Sequence, residues 1–181
     1  MARITPIAAP EDHPGGAEAE LAALFDALFP GEDKPRFDDA HAGLAIAAHH
    51  PGLALKLARL SGFIAGELPW SQQKGLRELA IQTVNLAVGS AYSFAARRRT
   101  AHACGVSDAQ LTALADWRDS ALFDPDQCLV IEYAEAAAAG TVTDALSARM
   151  VARFGEKGTV EATALIAFWG FWAMFLAATC G

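Results

Sequence analysis

Polar residues that look arranged rather than scattered lie in one stretch of this sequence, from Leu76-Arg77-Glu78 to Cys104-Gly105. Glu78, Gln82 and Asn85 recur at i, i+4 and i+7, which stacks them on one face of a helix. Leu76, Leu79, Ala80, Thr83, Leu86 and Ala87 form the apolar stripe of the same helix. A carboxylate heading a polar stripe is a candidate general acid or base, because burial and neighbouring groups tune its affinity for a proton. Other chemistries lack their parts. The sequence has no G-x-G-x-x-G after a strand, no phosphate-cradling glycine loop, no G-x-S-x-G and no H-E-x-x-H. His13, His41, His49, His50 and His102 show no partner at metal-ligand spacing, so neither a metal nor a bound cofactor is expected. Cys104, Cys128 and Cys180 are far apart, odd in number and without a C-x-x-C. That argues against a disulfide framework and for a reducing compartment.

The run Leu76-Arg77-Glu78-Leu79-Ala80, followed by Asn85, Ser90-Ala91-Tyr92-Ser93, Arg97, Ala101 and Gly105-Val106-Ser107, resembles the core of the carboxymuconolactone decarboxylase-like family, which includes the alkylhydroperoxidase D proteins. A weaker likeness runs from His50-Pro51 to Val142-Thr143-Asp144 and Phe154-Gly155. The longer alkylhydroperoxidase D-like chains are more similar than the short aromatic-pathway decarboxylases. In the family's redox members a Glu is followed by C-x-x-C and then by a His. The matching positions here hold Glu78, Ser90, Ser93 and Arg97. Serine supplies neither the thiolate nor the redox couple that peroxide reduction needs. The resemblance therefore implies non-redox acid–base chemistry of lyase or decarboxylase type on, or binding of, a small anionic organic compound. In that reading Glu78 is the general base, Arg97 holds the anion by a forked contact, and Tyr92, Ser90 or Ser93 relays a proton. Two alternatives stand beside it: a thiol peroxidase working through Cys104, and a non-catalytic oligomeric binding or scaffold protein in which Glu78 and Arg97 are a buried ion pair. The family likeness also implies a compact multi-helix bundle of the alkylhydroperoxidase D type that assembles as a dimer, trimer or hexamer.

The elements that must position these residues read as helices throughout, so the fold class is all-α with about nine helices. A first helix spans about 17–29 and a second runs from Asp38 or Asp39 to His49. Pro51 opens a third that continues to Ile64. Ser71 is the expected N-cap of the fourth, with Trp70 packing back as a staple, and the helix reaches Val88. A fifth follows Gly89-Ser90 and runs to Cys104. Ser107 to Gln110 and Asp124 to Gln127 read as capping boxes, and Thr143 caps an eighth helix ending at Phe154. After Gly155 and Gly158 comes an apolar last helix, near whose start Glu161 reads as a charge favoured by the helix dipole.

The chain has 181 residues, 53% hydrophobic and 19% charged. Such a composition excludes intrinsic disorder, and the length suits one domain over 1–181 with 1–16 as an irregular arm. A net charge of −7 leaves no overall basic field for nucleic acid. The N-terminus shows no secretion signal, which with the thiols gives a cytoplasmic expectation. Residues 162–180 carry no charge and include Phe168, Trp169, Phe171, Trp172 and Phe175. Their alanine content, the central Gly170 and the missing basic anchor point to burial in a core or a subunit interface rather than in a membrane.

Overall fold

The computed structural model describes residues 3–15, 18–38 and 41–180. Among them all regular structure is helical and no strand occurs. The α-helices are α1 (Glu18–Leu28), α2 (Ala42–Ala47), α3 (Pro51–Gly62), α4 (Lys74–Ala87), α5 (Ala91–Ala96), α6 (Arg98–Ala103), α7 (Asp108–Ala113), α8 (Pro125–Ala139) and α9 (Asp144–Thr179). A π-helical turn at Phe63–Glu67 extends α3, and short 3-10 turns occupy Pro10–Asp12, Trp70–Gln72 and Leu114–Asp119.

Local chemistry fixes most of these boundaries. Ser107 accepts from the Gln110 amide while Gln110 accepts from the Ser107 amide, both at 3.1 Å. Asp124 and Gln127 do the same for α8, whose first residue is Pro125. Each reciprocal pair satisfies two helix-terminal donors that would otherwise be orphaned. Gly140 ends α8 in the left-handed conformation, and Thr143 Oγ1 accepts from the Leu146 amide to open α9.

Four boundaries differ from the sequence reading. α4 begins at Lys74 rather than after Ser71, because the Ser71 hydroxyl donates to the Ile64 carbonyl at 2.6 Å and so closes the turn from α3. Trp70 is accordingly no staple on α4; it is buried edge-on against Phe154. The helix expected to run from Gly89-Ser90 to Cys104 is divided at Arg97 into α5 and α6, with Arg97 itself still right-handed. The two C-terminal helices are joined without a loop. Gly155 alone makes the break, at φ 73° and ψ 168°, and Gly158 lies within the helix that resumes after it. The second helix is also shorter than expected; residues 39 and 40 of its expected start, like residues 1, 2, 16 and 17 of the arm and first helix, lie outside the described residues.

α4 is the central element and packs against both α8 and α9. Every residue from Glu78 to Asn85 is buried, so the polar stripe lies inside the protein. Ile81, Val84, Val130, Met150, Leu165 and Trp169 belong to the main core, while Leu24, Phe25, Ala54 and Trp172 join α1 and α3 to α9 in a second. The arm is packed rather than loose. Ile7 and Ala9 are buried, and the Ile7 amide donates to the Ala45 carbonyl at 2.9 Å.

Candidate functional site

Gly89, at φ 73°, reverses the chain after α4, and the Ser90 amide donates to the Asn85 carbonyl at 2.8 Å to close the turn. A positive φ of this kind suits glycine, which has no Cβ to clash. α5 and α6 therefore run back along α4. Gln82 Nε2 donates to the Phe94 carbonyl at 3.2 Å, and one turn nearer the start of α4 Arg97 meets Glu78. The sequence spacing is converted into an antiparallel helical hairpin with its polar groups on the inside.

Glu78 has no exposed surface. Its Oε2 accepts from Arg97 Nε at 2.9 Å, and its Oε1 accepts from Arg97 Nη2 at 2.9 Å and from Arg77 Nε at 3.0 Å. Arg77 also donates through Nη1 to the Ala65 carbonyl at 2.9 Å and through Nη2 to Cys104 Sγ at 3.3 Å. Forked, charge-assisted contacts of this kind combine energy with a fixed orientation. Both oxygens of the expected general base are thus held by guanidinium donors and face no solvent. Arg97 spends Nε and Nη2 on Glu78 and lays its guanidinium 5.1 Å from the centre of the Trp169 ring. Its Nη1 has no hydrogen-bond partner among the described residues, and the side chain keeps 23% of its surface exposed.

That exposed surface faces a cavity of about 300 Å³, at the small end of the range for ligand sites. Asn85, Ser93 and Arg97 line it from the hairpin, His41 immediately before α2, and Trp169 and Trp172 from α9; further residues of α1, α2, α3 and α6, mostly apolar but including Ser61 and Thr100, help complete it. α2 approaches α9 closely, since a Cβ added to Gly43 would lie 2.6 Å from the Trp172 ring. Of the expected site residues, Ser93 and Arg97 line the cavity. Glu78 stands behind Arg97. Ser90 donates to Ser93 Oγ at 2.7 Å from outside the lining, and Tyr92, 39% exposed, is not among the lining residues.

Sequence reasoning missed His41. Its Nδ1 lies 2.7 Å from Asp38 Oδ1, and since a carboxylate only accepts, Nδ1 donates; in the neutral ring the lone pair is then on Nε2. Phe29 and Phe37 pack on the ring. The available signal was the Asp three residues before the His. Glu161, read as a simple dipole charge, is instead buried, with its Oε2 accepting from the Trp70 amide at 2.8 Å across 91 residues. It anchors the turn before α4. Among the described residues no cluster of His, Cys, Asp and Glu could hold a metal ion, and the three cysteines are unpaired with one another. Burial pushes the Cys128 thiol above the ordinary thiol range, helped by the nearby Asp124 carboxylate.

Fold and site together define an all-helical protein with a buried carboxylate–arginine cluster behind a small, largely apolar cavity. No family model matches the chain. Over 79 residues, 42% of its length, the chain is 44% identical to the uncharacterized protein YnjA of Escherichia coli (strain K12), and the aligned stretch spans 43% of that protein. No solved structure matches.

Proposed function

We propose that the chain binds a small organic anion in the cavity beside Arg97 and moves a proton on it, as a non-redox member of the carboxymuconolactone decarboxylase-like group. One observation carries this reading: Arg97 and His41 are the ionisable side chains among the cavity's lining residues. Arg97 is locked by Glu78 and keeps Nη1 without a hydrogen-bond partner among the described residues. A carboxylate of the ligand accepts from Nη1, and the apolar lining with Trp169 and Trp172 takes its carbon body. His41 Nε2 is then the proton acceptor for a carbon beside a carbonyl, with Asp38 holding the tautomer and accommodating the imidazolium that forms. The same cation would stabilise negative charge developing on the carbonyl oxygen, whether that charge comes from loss of a proton or of carbon dioxide from a β-keto acid. Glu78 acts here through Arg97, as a positioning residue. The free thiols and the cavity's ligand class suit a reducing, aqueous compartment such as the cytoplasm.

Screening small carboxylic and keto acids by calorimetry and turnover tests this reading. Arg97→Met should weaken anion binding by about 10–100-fold, the worth of a hydrogen bond to a charged group. His41→Gln should bind the anion as the parent does while losing turnover. Equal anion affinity in Arg97→Met would overturn the assignment.

A further inference from the structure

Beyond Gly155, α9 is one uninterrupted rod whose inner face carries Glu161, Leu165, Trp169 and Trp172 into the core. Its outer face is as ordered in sequence as the inner. Val160, Ala164, Ala167, Phe171, Met174 and Ala178 follow one another by steps of four and three residues in strict alternation. Val160 is 67% exposed and Met174 58%; Ala167 and Ala178 are exposed, and Ala164 and Phe171 half-buried. At 1.5 Å per residue the stripe is about 27 Å long, without a charge or a hydrogen-bonding side chain. A sustained four-and-three repeat is the pattern by which one helix seats its side chains between those of a second.

We infer that this face is covered by the same face of a second copy of the chain, with the two helices antiparallel. The sizes of the residues select that occupant. In antiparallel pairing each layer sets a residue reached by a four-residue step against one reached by a three-residue step. Phe171 then meets Ala167 of the other copy, Met174 meets Ala164 and Val160 meets Ala178. Every bulky side chain has an alanine opposite, so the layers fill without voids or overlap, as close packing requires. Parallel pairing would stack Phe171 and Met174 on their own copies and leave layers of facing alanines. The contact is two-fold and self-complementary, so it closes at two copies. Phe171 stacks with Phe168 and Phe175 along one side, which widens the apolar contact. α9 is also long and apolar enough to cross a membrane, at a mean hydropathy of 1.6. Its inner face, however, holds a carboxylate bonded to the Trp70 amide and an indole under the Arg97 guanidinium, so lipid could reach one side of it only.

Sedimentation equilibrium on the purified chain tests the pairing. The parent should be dimeric at micromolar concentration, and Ala164→Lys or Met174→Glu alone should weaken association at least tenfold with helix content retained. The double variant Ala164→Lys/Met174→Glu should restore it, since the two charges meet across the interface. Oxidation should join Ala164→Cys/Met174→Cys chains covalently above the parent's background, while either cysteine alone should not, because each lies about 15 Å along the axis from its own copy. A parent that stays monomeric, an assembly of any order indifferent to the charged variants, equal joining by a single cysteine, or a monomer that pellets with phosphatidylcholine vesicles would each overturn the inference.

Discussion

Glu78 is where one side chain decides most. A carboxylate with no exposed surface is tolerable only because three guanidinium hydrogen bonds replace its water, and two of them come from the residue that faces the cavity. Glu78→Gln keeps the shape but removes the charge, leaving Arg77 and Arg97 without their anion and turning an amide NH2 toward donors. Loss of one partner of a buried pair costs about 3–5 kcal/mol, so the variant should unfold at markedly lower urea concentration. The double variant Glu78→Gln/Arg97→Met should lose less than the sum of the two single changes, because the second removes a charge the first has orphaned. Additive losses would mean that the pair is not the unit the geometry describes. Position was legible here, since the resemblance already brought Glu78 and Arg97 together, as parts of one site or as a buried ion pair. The third partner was not. Neighbours on a helix point about 100° apart, and only the reach of Arg77, with the Ala65 carbonyl and Cys104 to anchor its far end, bends it back onto Glu78.

Among the elements, α9 depends on a single backbone conformation. At φ 73° and ψ 168°, Gly155 sits in a region that is nearly closed to residues with a Cβ. A Cβ added there would meet nothing within 4 Å, so Gly155→Ala isolates backbone strain from crowding. A stability loss of about 1–3 kcal/mol is expected in a denaturant melt, without change in helix content. No loss would mean that the helix can run straight through this position. The sequence marks the break but not its sharpness. Gly155 and Gly158 together read as a loop, yet the amide of a resumed helix needs only one residue out of register, and Thr159 Oγ1 bonds back to the Gly155 carbonyl at 2.8 Å. Capping boxes were readable because their partners are three residues apart. Ser71 was misread for the opposite reason: its acceptor, the Ile64 carbonyl, lies in the preceding element. His41 escaped similarly, since its place depends on a cavity assembled from α1, α2, α3, α4, α5, α6 and α9.

The molecule as a whole is acidic, and two of its carboxylates are held below their ordinary range by arginines. A side-chain hydrogen bond from Arg98 holds Asp108 below the usual carboxylate range, with His102 adding to it, and one from Arg153 does the same for Asp126. A carboxylate depressed in the folded state contributes stability above its unfolded value, near 3.9, and that contribution fades as pH falls through the folded value. Asp126→Asn should therefore be slightly less stable than the parent at pH 7, and the difference should shrink as pH falls below the ordinary carboxylate value and vanish once the folded-state carboxyl is protonated; a gap that persists in strong acid would assign it to packing. Arg153 with Asp126, and Arg149 with Glu132, tie the first half of α9 to α8, so this small effect falls on the join between two central helices.

Gly43 gives the cavity its gauge. Helix α2 rests on the face of Trp172 at a distance that only a missing side chain permits, and both residues bound the same space. One methyl group at position 43 would have to displace an indole that the core holds on its other edges. The gauge of the cavity therefore depends on a position without a side chain: a Cβ there would move Trp172 and reshape the wall that the two residues share.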